Sequence, residues 1–439
     1  MKVVIIGGNA AGMSFAAKYK RNNKNHEVIV LEKRDYVSFG SCGLPYFVGG
    51  MFEDQERMIL RSPKQIIDSG IDLKINATVI NVEFDIKTVA YEVDGSLDEI
   101  SYDKLIIASG ASPIVPNFGK YNSAKVHTLT SLEDGLKVKE LLKDKNNKNI
   151  TIIGGGFIGL EIMDVAHDLD KNITLIEMND HILKNQFSDE MIDLVEESIN
   201  NTNINLMLST KVIDIKDKND SYTIVTDKKE VDADIVILAL GFKPNTEYLE
   251  LEKIANGAIL TDKTGQTSTK DVYAVGDCAT VHHIVKDDQV YLPLATTANK
   301  RARSLADYLS GVDVSFDGML GSSCLKVLDF ELARTGINEK DAIDMKIDYK
   351  VAYVTDKNQT DYYPGQEEIR AKLIYDKNTH VILGCEMIGK SGVVTRVDAI
   401  AVCIYAKLTT KELGYLDFCY APPFSRTWDM LNVIGNVAK

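Results

Sequence analysis

NITIIGGGFIGLEIM, Asn149 to Met163, is a β-branched run that breaks into glycine and resumes with helical spacing. Gly154-Gly155-Gly156-Phe157-Ile158-Gly159 is a complete G-x-G-x-x-G between a strand and a helix. Gly154 permits the tight turn, Gly156 lets the backbone approach a pyrophosphate, and Gly159 allows close helix packing. The next strand-like run, NITLIEM, carries Glu177 18 residues beyond Gly159. A carboxylate there accepts from a ribose 2′-hydroxyl and repels a 2′-phosphate, which favours NADH over NADPH.

Moving outward, the N-terminal part of the chain repeats the plan. Lys2 to Ile6 is a strand, Gly7-Gly8-Asn9-Ala10-Ala11-Gly12 a turn with Asn9 in place of the middle glycine, and HEVIVLEK a second strand. Glu32 lies 20 residues after Gly12, placed to hold an adenosine ribose. Antiparallel-looking runs follow in both copies (TVINVEF and TVAYEV; KVIDIKD and YTIVTD), and both close on an apolar strand (YDKLIIASGASP; ADIVILALGFKPN). One α/β unit is used twice, which implies two nucleotide sites. TSTKDVYAVGDCA, 267 to 279, adds a strand ending at Asp277, whose carboxylate could hold a flavin's ribityl chain. From about Gly321 the phosphate turns stop. The runs YKVAYV, IRAKLIYD and VILGCEMIG then precede a helical VDAIAVCIYAKL, a third, α+β domain suited to dimerisation.

Composition agrees with three ordinary domains: 439 residues, 45% apolar and 26% charged. Fifty basic against 64 acidic residues give a net charge of −14, which disfavours nucleic-acid binding. No apolar run approaches the ~20 residues of a membrane span. Six cysteines without a secretory leader predict a cytoplasmic protein of free thiols.

Ser38-Phe39-Gly40-Ser41-Cys42-Gly43-Leu44-Pro45-Tyr46 follows Glu32 closely. Gly43 and Pro45 suggest a turn into a helix, whose N-terminus would lower the Cys42 pKa. No second Cys lies within C-x-x-C or C-x-x-x-x-C spacing. Cys42 is therefore either an inert packing residue or a thiol working alone, through a mixed disulfide or a sulfenic acid. Cys278, Cys324, Cys385, Cys403 and Cys419 read as packing residues. Trp428 reads as an interface anchor, and His282-His283 as structural, with no metal site expected.

With SFGSCGLPYF, GGGFIGLE, VYAVGDCA, DYYPGQEE and CYAPPFSRTWD, the chain resembles the single-cysteine pyridine nucleotide-disulfide oxidoreductases, in particular their coenzyme A disulfide reductase branch. The resemblance implies two Rossmann-like domains, for FAD (1–113 and 247–321) and NAD(P)H (114–246), with a dimerisation domain at 322–439. Cofactor contacts are implied at Gly7, Asn9, Ala10, Gly12, Glu32, Lys33, Ser41, Ser109, Gly110, Gly154, Gly156, Phe157, Ile158, Gly159, Glu161, Glu177, Gly241, Asp277 and Ala295. Phe157 would cover the flavin. Electrons would pass from NADH, with NADPH also possible, through FAD to Cys42, which would rest as a mixed disulfide with coenzyme A. Coenzyme A disulfide would be the substrate, lying along Arg21, Ser38, Asn299 and Lys300, with Arg301 and Arg61 as further basic candidates. Tyr420 and Tyr362, or its neighbour Tyr363, would reach the other subunit's site in a homodimer. The related NADH oxidases and peroxidases carry a His in the first phosphate turn where this chain has Ala10. They remain an alternative through a Cys42 sulfenic acid, as does reduction of polysulfide or coenzyme A persulfide.

Overall fold

The computed structural model describes residues 1–315 and 318–438. Two parallel five-stranded sheets share the arrangement of four of their strands. In the first, Val272–Ala274, Lys104–Ile107, Lys2–Ile6, Glu27–Leu31 and Asp72–Lys74 lie side by side. In the second, Val126–His127, Ile235–Leu238, Asn149–Ile153, Asn172–Ile176 and Asn205–Met207 take the corresponding places. Central strands such as Lys2–Ile6 and Asn149–Ile153 are buried on both faces, which is why they read as unbroken β-branched runs. Each unit also carries a three-stranded antiparallel sheet, 77–101 in the first and 212–233 in the second. The expected duplication is thus present in four strands of each sheet, while the fifth has a different origin: Val126–His127 precedes the second unit's phosphate turn, and Val272–Ala274 follows the first unit's closing strand. The first sheet takes its outermost strand, Val272–Ala274, from beyond the second unit, so the second unit is inserted into the first.

The C-terminal part is an antiparallel sheet ordered Ser323–Val327, Phe330–Gly336, Ile382–Gly389, Glu368–Asp376, Tyr349–Lys357. The long helix Val393–Tyr405 packs on it. The sequence reading finds three of these strands and misses the first two. In SCLKVLDFELARTG the alternation is interrupted at Leu328, which turns with a φ of 51°.

The three parts share packing. One core joins Ile152 and Ile237 of the second sheet, Leu44 and Phe47 of the short helix after Cys42, and Leu325, Leu332 and Ile388 of the C-terminal sheet. Each fully buried Leu or Ile contributes roughly 2 kcal/mol, so this seam fixes the helix bearing Cys42 against both neighbours. Among the described residues no helix is long and apolar enough to cross a membrane.

Candidate active site

The two phosphate turns are built alike. Gly7 and Gly154 have φ of 102° and 111°, and a Cβ on either would lie 2.2 and 2.3 Å from the carbonyl oxygens of Ala108 and Ala239. These positions require glycine for the fold itself. Glu32 accepts from the Gly8 N–H at 2.6 Å and from the Arg34 N–H at 2.9 Å. Glu177 accepts from the Gly155 N–H at 2.7 Å and from the backbone and side-chain nitrogens of Asn179 at 2.8 and 2.7 Å. Both side chains are buried, so each holds its acceptor oxygens in a fixed place at the edge of its turn. Gly156 differs from Gly154: a Cβ there meets nothing within 4 Å. Space in front of its backbone is what a pyrophosphate at the N-terminus of helix Phe157–Asp168 requires.

The residues expected to hold FAD fit that group. Asn9 Oδ1, at the start of helix Ala10–Asn22, is buried with no hydrogen-bond partner, as is the Tyr291 hydroxyl. Asp277 is pushed up by burial and its carboxyl has no hydrogen-bond partner among the described residues. A buried acceptor left unpaired, as Asn9 Oδ1 is, costs ~1–3 kcal/mol, and the hydroxyls of a ribityl chain are donors that it and the partly buried Asp277 carboxyl lack. Gly110 has open space around its missing Cβ, while Ser109 is tied to Asn245 by reciprocal bonds of 2.8 and 3.0 Å. Ser41, Lys33, Ala295 and Gly241 are exposed, Ile158 partly so.

Cys42 lies on a 3₁₀ turn, Ser41–Gly43, that runs into the five-residue helix Leu44–Val48. Ser38 precedes it in the left-handed region, its N–H donating to the Gly8 carbonyl at 3.0 Å, so the Cys42 segment is hung directly on the first phosphate turn. The expected lowering of the thiol pKa is not found. Surrounding groups desolvate the sulfur although Cys42 is exposed, and the Glu161 and Asp277 carboxylates push its pKa further up. A helix of barely one turn offers little dipole against them. Glu161 is one turn along from Phe157, and burial pushes its carboxyl up to about 7. The sequence reading treats Glu161 only as a cofactor contact. Its pull on the thiol depends on helix Phe157–Asp168 packing against the helix after Cys42, which no local pattern reveals.

Tyr362 and Tyr420, 58 residues apart, join hydroxyls at 2.8 Å on an exposed face. Arg396 ties their loops together: it is bidentate to Asp429, with the shortest contact 2.6 Å, and donates to the Asn358 carbonyl at 3.0 Å and to the Phe424 carbonyl at 3.4 Å. Tyr363 is next to the pair and half-exposed. Arg21, Asn299 and Lys300 are exposed on two packed helices, where Asn299 bonds Ser14. Arg301 does not join them. It is buried, bonded to the Lys263 carbonyl, because its helix turns that face inward. Cys385 and Cys403 are buried as expected of packing residues, but Cys324 and Cys419 are exposed. Trp428 is also exposed, edge-on to Tyr415. His283 is pushed down to about 4 by burial, and its Nδ1 accepts from two backbone N–H groups. Asp180, His181 and Asp189 come together near Glu177, a grouping the sequence reading does not foresee, and Lys184 pairs with both aspartates.

Residues 1–302 match the family described as pyridine nucleotide-disulphide oxidoreductase, and residues 322–431 match its dimerisation domain. The chain is 36% identical over 441 residues to an NAD(P)H coenzyme A polysulfide/persulfide reductase of Pyrococcus horikoshii, covering 100% of this chain and 98% of that protein. It is 30% identical over 445 residues to a coenzyme A disulfide reductase of Staphylococcus aureus, covering 100% of both. Its structure superposes on that of a NAD-dependent persulfide reductase from A. fulgidus with a TM-score of 0.95 and 34% identity, over 100% of this chain and 83% of the other.

Proposed function

The chain belongs to the pyridine nucleotide-disulphide oxidoreductases, a family dependent on FAD and NAD(P)H, and from that premise we propose that it reduces coenzyme A disulfide through Cys42. One observation carries the reading. Cys42 lies at the junction of both dinucleotide units: Ser38 hangs its segment on the first phosphate turn through the Gly8 carbonyl, and the helix that follows it packs on helix Phe157–Asp168 after the second turn. We assign FAD to residues 1–113 and 247–321, NAD(P)H to 114–246 and dimerisation to 322–439. NADH is the preferred donor, because the buried Glu177 carboxylate opposes a 2′-phosphate.

FAD bound in the first unit supplies the two-electron link between the reduced nicotinamide and the Cys42 sulfur. Gly154–Gly159 hold the dinucleotide, and Phe157 shields the junction from water. The Cys42 thiolate attacks one sulfur of coenzyme A disulfide, forming the mixed disulfide and releasing one coenzyme A thiolate. Two electrons from NADH then cleave the mixed disulfide, releasing the second coenzyme A and restoring the Cys42 thiolate. The two departing thiolates take up two protons, one from NADH's oxidation and one from solvent. Tyr362 and Tyr420 of a second copy steady the departing sulfur. One proton is used in their mutual bond, which leaves the other hydroxyl free to donate. The bond raises the Tyr420 pKa, so the group acts as a neutral hydrogen-bond donor and does not surrender its proton.

A second reading, reduction of coenzyme A persulfide, is favoured by the relative of 36% identity and uses the same residues. Mass spectrometry of the purified, unreduced protein tests the proposal. A coenzyme A adduct on Cys42 supports it. A sulfenic or sulfinic acid there, with no adduct, transfers the assignment to an NADH oxidase or peroxidase. Turnover with coenzyme A disulfide against coenzyme A persulfide then separates the first two readings.

A further inference from the structure

Ser188 begins the helix Asp189–Asn200 without capping it through its hydroxyl. The side chain faces the C-terminal sheet, 3.2 Å from Glu386 Oε1 and 2.9 Å from Lys372 Nζ, while its backbone N–H donates to Glu386 Oε2 at 2.9 Å. Two residues earlier, the Gln186 carbonyl accepts from Arg334 at 2.8 Å. Arg334, Glu386 and Lys372 are cross-strand neighbours on three adjacent strands, a row of alternating charge. Lys372 and Glu386 are 2% and 1% exposed, and Lys372 also pairs with Glu190 in the first turn of the helix.

The other end of the same segment touches the nucleotide turn. Leu183 donates its N–H to the Gly155 carbonyl at 3.1 Å, and Ile182 lies against Gly155. The segment 182–188 is therefore a short strut between the second phosphate turn and a buried charged row of the C-terminal sheet. Apolar residues would fill that seam at least as stably. A row of ions and hydrogen bonds adds direction: it admits one register of the strut, set by where the carboxylate and ammonium meet Ser188.

We propose that Glu386 and Lys372 are positioning residues for the nicotinamide dinucleotide, fixing the 182–188 strut against the Gly154–Gly159 turn from the C-terminal sheet. The proposal rests on that turn being the dinucleotide site. Ser188→Ala, Glu386→Gln and Gly156→Val test it in the FAD-loaded enzyme, with KM for NADH, kcat, KM for the disulfide and thermal midpoint measured for each. Ser188→Ala and Glu386→Gln are each expected to raise KM for NADH about tenfold, with kcat and the disulfide KM unchanged. If both leave KM for NADH unchanged while Gly156→Val raises it, the positioning role is overturned and the nucleotide site stands. If Gly156→Val also leaves it unchanged, the site assignment itself falls. A loss shared equally by kcat and both KM values would reduce the seam to a structural role. Should Glu386→Gln not fold, Ser188→Ala decides alone, since it removes only a hydroxyl.

Discussion

Glu161 is where a single residue departs most from its ordinary chemistry at the Cys42 junction. Burial is the main cause of its rise to about 7, and repulsion from Asp164 one turn on adds to it. The folded chain therefore binds this proton more tightly than the unfolded chain. The stability it contributes is fully present below about pH 4.5 and is lost as pH rises through about 7. Glu161→Gln removes that loss, so the variant should gain on the parent from about pH 5 to about pH 8, by at most about 3 kcal/mol. Thermal midpoints of the two proteins across this range check it, and parallel curves would refute it.

At the scale of elements, the phosphate turn separates a glycine needed by the fold from one needed by the ligand. Gly154→Ala forces a Cβ against the Ala239 carbonyl at a φ of 111°, and should cost at least about 1 kcal/mol in unfolding measurements. Gly156→Val meets open space, so its thermal midpoint should stay within a few degrees of the parent while NADH binding weakens at least about tenfold. A reversed pattern would misplace the nucleotide. The loops bearing Tyr362 and Tyr420 depend on Arg396 and Asp429 in the same way. Asp429→Asn leaves a buried guanidinium without its carboxylate and should cost about 3 kcal/mol or more. Unfolding in urea measures that loss, and an unchanged midpoint would show the clamp to be idle.

At the scale of the whole molecule, no hydrogen bond joins Cys42 to the tyrosine pair within one chain, among the described residues. If the tyrosines serve the other subunit's cysteine, a hybrid of Cys42→Ser with the double variant Tyr362→Phe and Tyr420→Phe contains one complete site. Mixed dimers should then turn over faster than either parent, approaching about half the unmodified rate, since one of two sites is intact. Mixed dimers no faster than the sum of their parents would place the pair in its own subunit's site or outside catalysis.

Several features were legible from residue order because they rest on local backbone geometry. GGGFIG after a β-branched strand, Glu177 and Glu32 closing the next strands, and the repeated order of elements lead to two parallel sheets. The left-handed turn and the glycine approach are properties of a few consecutive residues. Other features arise only where distant segments meet. Residue order suggested a lowered Cys42 pKa, whereas Glu161 and Asp277 arrive from two different units to raise it. Arg301 looked like part of a basic path until its helix turned it inward. The row Arg334, Glu386 and Lys372 is spread over 53 positions of the chain and exists only through antiparallel register. Electrostatic fields and buried charge pairs depend on distance in space, so the tertiary structure alone decided them.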